Sequence, residues 1–338
     1  MAVKKLSKDK VADALKELMK FHLVAPARSD DVVLFKEISD PAEAVLDYAN
    51  SAVPPKKVVF PQTETLFRFT VGEPELKEKN PEEEGQTVIF GMRPCDARAM
   101  GIVDKLMSWD YDDPYYQKRR AMTTYVGMAC TEPPSVNCFC TSVGGSPFGV
   151  EGLDVMLVDM GDHYTVQALN GKGEKLLEAI AGQLEDGGDE KRIEEMAAEA
   201  AGKIKRSIKT EGIAEKIPTL WDSDVWKKVS ASCLGCGTCT FLCPTCHCFD
   251  IQDEVEELGE GRRCRMWDSC MFSEYTLHAS GHNPRPSRKE RTRNRVSHKY
   301  SYFPSKFDDI ACVGCGRCIN MCPVNIDILD ILEQVVEA

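Results

Sequence analysis

Two cysteine runs repeat within the chain. The first reads Cys233-Leu-Gly-Cys236-Gly-Thr-Cys239-Thr-Phe-Leu-Cys243-Pro244, and the second Cys312-Val-Gly-Cys315-Gly-Arg-Cys318-Ile-Asn-Met-Cys322-Pro323. Three thiols at intervals of three residues, then a fourth just before proline, is the spacing with which bacterial ferredoxins hold 4Fe–4S cubes. A short loop wraps three corners of a cube. Small residues at Gly235 and Gly314 let backbone amides approach the sulfides, and such hydrogen bonds help set the potential. The fourth thiol, expected at the start of a helix, reaches across to the other cube in two-cluster proteins. The spacing therefore assigns one cluster to Cys233, Cys236, Cys239 and Cys322, and a second to Cys312, Cys315, Cys318 and Cys243. Zinc is held by paired hooks, usually of two cysteines each and often with histidine. Two full four-cysteine runs with trailing prolines are not that pattern.

Four more cysteines lie in the N-terminal half: Cys95, Cys130, Cys138 and Cys140. Cys95 and Cys130 each follow a strand-like segment, and ligand sites in open α/β sheets gather at the carboxyl ends of strands. These four thiols could hold a third 4Fe–4S cluster. Buried structural thiols and a zinc site are the competing readings. Cys246, Cys248 and Cys270 are expected to pack against the clusters rather than ligate them, and His247 to sit beside a cluster or on the surface. The segment Arg285–Lys299 is strongly basic in an acidic chain. Its arginines would either neutralise the clusters or dock an acidic partner. The run VGGSPFG, with Gly144, Gly145 and Gly149, lacks the endings of a phosphate loop and reads as a turn near the third set of thiols. No dinucleotide fingerprint and no Ser/His/Asp arrangement is present, so flavin or NAD is not expected on this chain.

The elements that carry these residues alternate in the first half. Asp31–Ile38, Lys57–Phe60, Glu64–Val71, Thr87–Met92 and Met122–Met128 read as strands. Ala97–Met107 reads as a helix, and a helix is expected to start at Pro41. Val155–Asp159 and Tyr164–Leu169 read as a hairpin about Gly161–Asp162. The first twenty or so residues read as an amphipathic helix capped by Ser7. Residues 1–170 thus form an α/β or α+β domain. Residues 171–220 read as a helical connector broken at Gly187–Gly188. Residues 221–338, opened by Trp221 and Trp226, form an α-helical ferredoxin domain, with Gln252–Leu258 and Asp268–His278 as helices in the long insert between the runs.

Composition narrows the class. A chain of 338 residues suits two domains. Sixteen cysteines without a visible export signal point to metal ligands in a reducing compartment rather than to disulfides. The cytoplasm is therefore expected, with no membrane span. A net charge of −12 argues against a general nucleic-acid role. The acidic runs Glu82–Glu84 and Glu185–Glu199 read as solvated surface.

With these residues in view, the chain resembles the family of the A-type subunits of anaerobic sulfite reductases and the β subunits of sulfhydrogenases. That family includes the iron–sulfur partners of flavin oxidoreductases that feed heterodisulfide reductase. The resemblance is carried by Pro61–Phe67, Arg93-Pro-Cys95-Asp96, Asn137-Cys138-Phe-Cys140, Cys243-Pro-Thr-Cys246-His-Cys248, Trp267-Asp-Ser-Cys270 and both cysteine runs. It implies a cytoplasmic electron-transfer subunit of an oxidoreductase complex in anaerobic metabolism. Such a subunit sits between a flavin (FAD or FMN) subunit that oxidises NAD(P)H and a terminal reductase, hydrogenase or heterodisulfide reductase subunit. It also implies a third cluster at Cys95, Cys130, Cys138 and Cys140, and cluster-related roles for Cys246, Cys248 and Cys270. Cys264 falls outside the pattern and reads as incidental. A subunit that is itself a flavin- or substrate-binding reductase is the alternative.

Overall fold

The computed structural model describes residues 3–73, 75–78 and 85–338; the Glu82–Glu84 run lies outside the described residues. In chain order the strands are β1 (Val3–Ser7), β2 (His22–Ser29), β3 (Val32–Glu37), β4 (Thr63–Thr70), β5 (Lys77–Glu78), β6 (Thr87–Met92), β7 (Thr123–Met128), β8 (Val155–Asp159), β9 (His163–Ala168), β10 (Leu184–Asp186), β11 (Phe249–Glu257) and β12 (Glu260–Trp267). They form an eight-stranded sheet of order β10-β1-β9-β8-β7-β6-β2-β3 and a four-stranded sheet of order β11-β12-β4-β5.

The centre of the large sheet, β2-β6-β7-β8, is parallel. Its strands are near-continuous apolar runs, as strands covered on both faces must be, and Val88 to Met92 are all buried. Helices α1 (Val11–Leu18), α2 (Pro94–Met107), α3 (Pro114–Met122) and α4 (Gly171–Ala179) accompany this sheet. Helix α2 starts directly after β6 because Arg93 is still extended and Pro94 occupies the first helical position, where its fixed φ and missing N–H cost nothing.

The C-terminal region is mostly helical: α5 (Glu190–Lys203), α6 (Ile213–Thr219), α7 (Val225–Val229), α8 (Thr238–Phe241), α9 (Arg288–Ser297), α10 (Phe303–Phe307), α11 (Arg317–Asn320) and α12 (Ile328–Glu337). Their shared core contains Trp226, Val296, Leu329 and Leu332. The two halves interleave. Phe139 and Val143 from the first half enter this core, whereas Phe303 and Val313 enter the core of the large sheet. The small sheet joins β4 to β12 across about two hundred residues. Buried Glu64 accepts from Arg265 at 2.5 and 3.1 Å and also pairs with Arg119 of α3.

Several expected elements are different in the fold. The N-terminus is not helical from the start: Val3–Ser7 is a strand between β9 and β10, and α1 begins at Val11. Strand pairing outweighs the local helical pattern there. Lys57–Phe60 is not a strand, because Pro54 and Pro55 set a 3-10 turn over Pro55–Val58. The helix expected at Pro41 is a single 3-10 turn, capped by Asp40 and Glu43. The connector contains β10, which extends the large sheet. Of the helix expected at Gln252–Leu258, residues 252–257 are strand and Leu258 is in the hairpin turn, and Asp268–His278 is a series of turns and bends. The acidic stretch in β11 finds its cations across the hairpin, with Arg262 on Glu254 at 2.7 Å and Arg263 on Asp253 at 2.7 Å. Such cross-strand pairs override helix propensity.

Candidate metal centres

The two cysteine runs adopt the same conformation. In each, a glycine with positive φ (Gly235 at 71°, Gly314 at 63°) turns the loop, and a second (Gly237 at 75°, Gly316 at 74°) leads into a one-turn helix, α8 or α11. Cys239 and Cys318 lie in these helices. Cys243 and Cys322 do not start a helix as expected; each follows one. The residue before a proline is disfavoured in the helical region, so both leave the turn just ahead of Pro244 and Pro323.

Three thiol-lined cavities result. Cavity one is lined by Cys233, Cys236, Cys239 and Cys322, and by Cys318 as well. Cavity two is lined by Cys243, Cys312, Cys315 and Cys318. The last cysteine of each run thus faces the cavity of the other run. Cavity three is lined by Cys95, Cys130, Cys138 and Cys140, and Cys315 borders it as well. The cavities therefore stand in sequence: one and two share Cys318, two and three share Cys315. Among the described residues no three His, Cys, Asp or Glu side chains gather as a site for a single metal ion; the thiols stand around larger spaces.

Local structure brings the third set together. Cys95 is in the first turn of α2 after β6, and Cys130 lies just past β7, where its N–H donates to Pro147 O at 2.9 Å. The Cys138–Cys140 loop docks on the second run: Phe139 N–H donates to Gly314 O at 2.9 Å. A Cβ at Gly314 would lie 2.5 Å from Cys140 N, so only glycine permits this approach. Arg317, inside the second run, reaches Asp96 at 2.6 and 2.8 Å and Ser51 O at 2.9 Å, all buried. It ties the second run to the start of α2. The sequence placed Asp96 in a motif and Lys299 in the basic segment, but neither the Asp96–Arg317 pair nor the Lys299 contact with Cys243 was foreseen, since the partners lie far apart in the chain.

The electrostatics around the thiols are cationic. Arg291, Arg293, Arg295 and Lys299 of the basic segment are all buried, so these cations serve the interior rather than a docking face. Lys299 Nζ donates to Cys243 Sγ at 3.3 Å, to Thr245 Oγ1 at 2.9 Å and to Ala311 O at 2.9 Å. The Cys246 thiol, followed by Lys299, holds Cys243 well below the usual thiol range. Burial pushes Cys130, Cys315 and Cys318 each up to about 12, and Cys140 up to about 11. Without metal these thiols keep their protons, and ligation must displace them.

Arg295 borders both cavity one and cavity two. Burial disfavours its charge, but the thiols of Cys239 and Cys318 more than offset that. Its Nε and the Thr292 hydroxyl are buried without a hydrogen-bond partner, and Thr292 also lines cavity one. Unpaired buried donors facing a thiol-lined space fit a group rich in acceptor sulfides. Cys246, Cys248 and Cys270 line none of these three cavities, although Cys246 hydrogen-bonds to Cys243. Cys264 is fully buried in the small sheet near Thr65 Oγ1, at 3.9 Å. His247 is half-buried, donates from Nδ1 to Thr245 O at 3.1 Å, and stacks edge-on with His298.

Residues 232–326 match the 4Fe-4S dicluster domain family, a span that includes both cysteine runs. Over 317 residues the chain is 34% identical to sulfhydrogenase 2 subunit beta of Pyrococcus furiosus, which covers 92% of this chain and 91% of that protein. The chain belongs to the sulfhydrogenase β-subunit family. It is accordingly an iron–sulfur, electron-transferring protein of the oxidoreductase class, and 4Fe–4S clusters are its cofactors. The dicluster match does not reach Cys95, Cys130, Cys138 or Cys140; those thiols belong to the part of this family member outside it. No solved structure matches the chain. No helix among the described residues is long and apolar enough to cross a membrane.

Proposed function

We propose that the chain is a three-cluster electron relay. In this reading Cys233, Cys236, Cys239 and Cys322 hold one 4Fe–4S cluster, Cys243, Cys312, Cys315 and Cys318 a second, and Cys95, Cys130, Cys138 and Cys140 a third. Residues 1–170 contribute the third centre, 171–220 connect, and 221–338 form a helical dicluster ferredoxin unit. The observation that carries the reading is the row of three cavities, each joined to the next through one cysteine. Clusters set in such a row pass electrons one at a time, and the protein supplies spacing, burial and cation placement.

A relay needs a donor and an acceptor outside itself. The relative at 34% identity is named as a β subunit, which supports partner subunits for this chain too. The proposed donor is a flavin-bearing, NAD(P)H-oxidising subunit, and the proposed acceptor is a terminal reductase, hydrogenase or heterodisulfide reductase subunit, all in the cytoplasm. Iron and sulfide analysis of anaerobically purified protein tests the cluster count: about twelve of each per chain are expected, against about eight for two clusters. C130S should remove about four irons and leave the EPR signals of the other two clusters in place. Zinc in place of iron, or an unchanged iron count in C130S, would overturn the respective part. Flavin that co-purifies with the isolated chain would move the flavin from the partner to this protein.

A further inference from the structure

Strands β11 and β12 form a hairpin whose base closes at the Phe249–Trp267 pair. Cys248 precedes the first strand and Cys270 lies just beyond the second. Asp268 N–H donates to Cys248 O at 2.9 Å and holds the two chain ends together. As a result Cys248 and Cys270 meet at the base of the hairpin and pack, with Tyr275, in one group. All sixteen cysteines are free thiols in this structure. The pair borders none of the three cavities, yet it packs in one apolar group with Cys233, Cys239 and Met271, three residues that line cavity one.

We propose that Cys248 and Cys270 are a dithiol–disulfide couple that exchanges electrons with the cluster chain, a two-electron site beside one-electron carriers. The electron partners rest on the cluster reading above; the couple itself rests on the hairpin base. In oxidation, the two S–H bonds break and one Sγ–Sγ bond forms. Two protons leave, and two electrons pass singly to two oxidised 4Fe–4S clusters, those of cavities one and two, each of which is reduced by one electron. In the reverse direction two reduced clusters each give one electron, the Sγ–Sγ bond breaks, and two protons are taken up. Tyr275, packed in the same group and only partly buried, offers the route by which a proton reaches the pair. Disulfide formation depends on access and on a thiolate near its partner, and the closed hairpin base brings the two cysteines to one place.

The test is made on anaerobically purified holoprotein equilibrated in buffers that range from reduced dithiothreitol to glutathione disulfide. Free thiols are then alkylated and mapped by peptide mass spectrometry, with iron measured in each sample. The Cys248 and Cys270 peptides should leave the alkylated pool together, appear as one linked species two hydrogens lighter, and return when the clusters are reduced with photoreduced deazaflavin. Iron should stay constant throughout. C248S should keep its full iron and sulfide, leave Cys270 alkylatable in every buffer, and take up two fewer electrons per chain in coulometric titration; C270A should do the same at Cys248. The proposal is overturned if both thiols remain alkylatable in every buffer, or if C248S or C270A loses iron, which would make them ligands. An iron-poor wild-type protein would refute the cluster reading instead, and the thiol mapping would still decide the couple.

Discussion

Arg295 is the only described cation that borders both cavity one and cavity two. A reduced cluster carries one more negative charge than an oxidised one, so a nearby guanidinium favours reduction. At an effective dielectric near 20, a unit charge a few ångströms away is worth roughly 2–3 kcal/mol per electron, on the order of 100 mV. Arg295→Met should lower the reduction potential of both clusters by up to that amount with iron content preserved, as read in an EPR-monitored redox titration. His298 makes a different prediction. Burial, then Lys299, pushes it down to about 4, whereas an imidazole in the unfolded chain titrates near 6.5. Between these values the unfolded state binds the extra proton, so stability falls as the pH drops through that window. His298→Asn cannot charge and should move the acid midpoint of visible cluster loss to lower pH. An unchanged midpoint would show that other groups set the acid limit.

Among the helices and loops, the join between the second cysteine run and α2 rests on a buried ion pair. Asp96 is fully buried and Arg317 nearly so, and their bond is bidentate. Removal of one partner strands the other charge and typically costs about 3–5 kcal/mol. Asp96→Ala should therefore lower the unfolding free energy by about that much in a denaturant titration. The double variant with Arg317→Met should recover part of the loss, because no lone charge is then left inside. The same join explains why α2 begins where it does. Pro94 starts the helix, Asp96 receives Arg317 within the first turn, and Cys95 between them is carried to the wall of cavity three.

Across the full chain, the order of the cavities matters more than their number. Cavity two is the middle one, sharing a cysteine with each neighbour. In the proposed relay, emptying it disconnects the outer centres while the cysteines assigned to them stay intact. Cys312→Ser should lower iron by about four atoms per chain, the content of one cube. In freeze-quench EPR of the assembled complex, electrons that enter at one outer cluster should then fail to reach the other on the time scale of wild-type transfer. Equal rates in the variant would mean that the row of cavities is not the path. The interleaved cores bear on this. Phe139 packs with the C-terminal helices and Val313 with the large sheet, so cavities two and three are held by both halves of the chain and cannot drift apart as separate domains would.

That this is an iron–sulfur chain was legible in the residues because the cysteine spacing is local. A loop of seven residues contains three thiols, and proline directly after the fourth cysteine marks the end of each run. The parallel strands β6, β7 and β8, the body of α2 and the hairpin about Gly161 were readable, since long apolar runs and a glycine turn state their own structure; the fourth central strand, β2, was not read. Some misses were local, as where Pro54 and Pro55 turned Lys57–Phe60 away from a strand; the larger ones depend on a distant partner. Gln252–Leu258 has the composition of a helix and became strand over residues 252–257 because Arg262 and Arg263 lie opposite its acids and β4 lies beyond them. The N-terminal residues became a strand because β9 and β10 flank them. Residue type and local spacing were enough to say which atoms can bind iron. Long-range folding settled which thiols share a cavity, that Cys315 and Cys318 link the cavities, and that the basic segment turns inward. Ligand type and short-range spacing are properties of neighbouring residues, whereas burial, pairing and the placement of charge exist only once residues hundreds of positions apart are in contact.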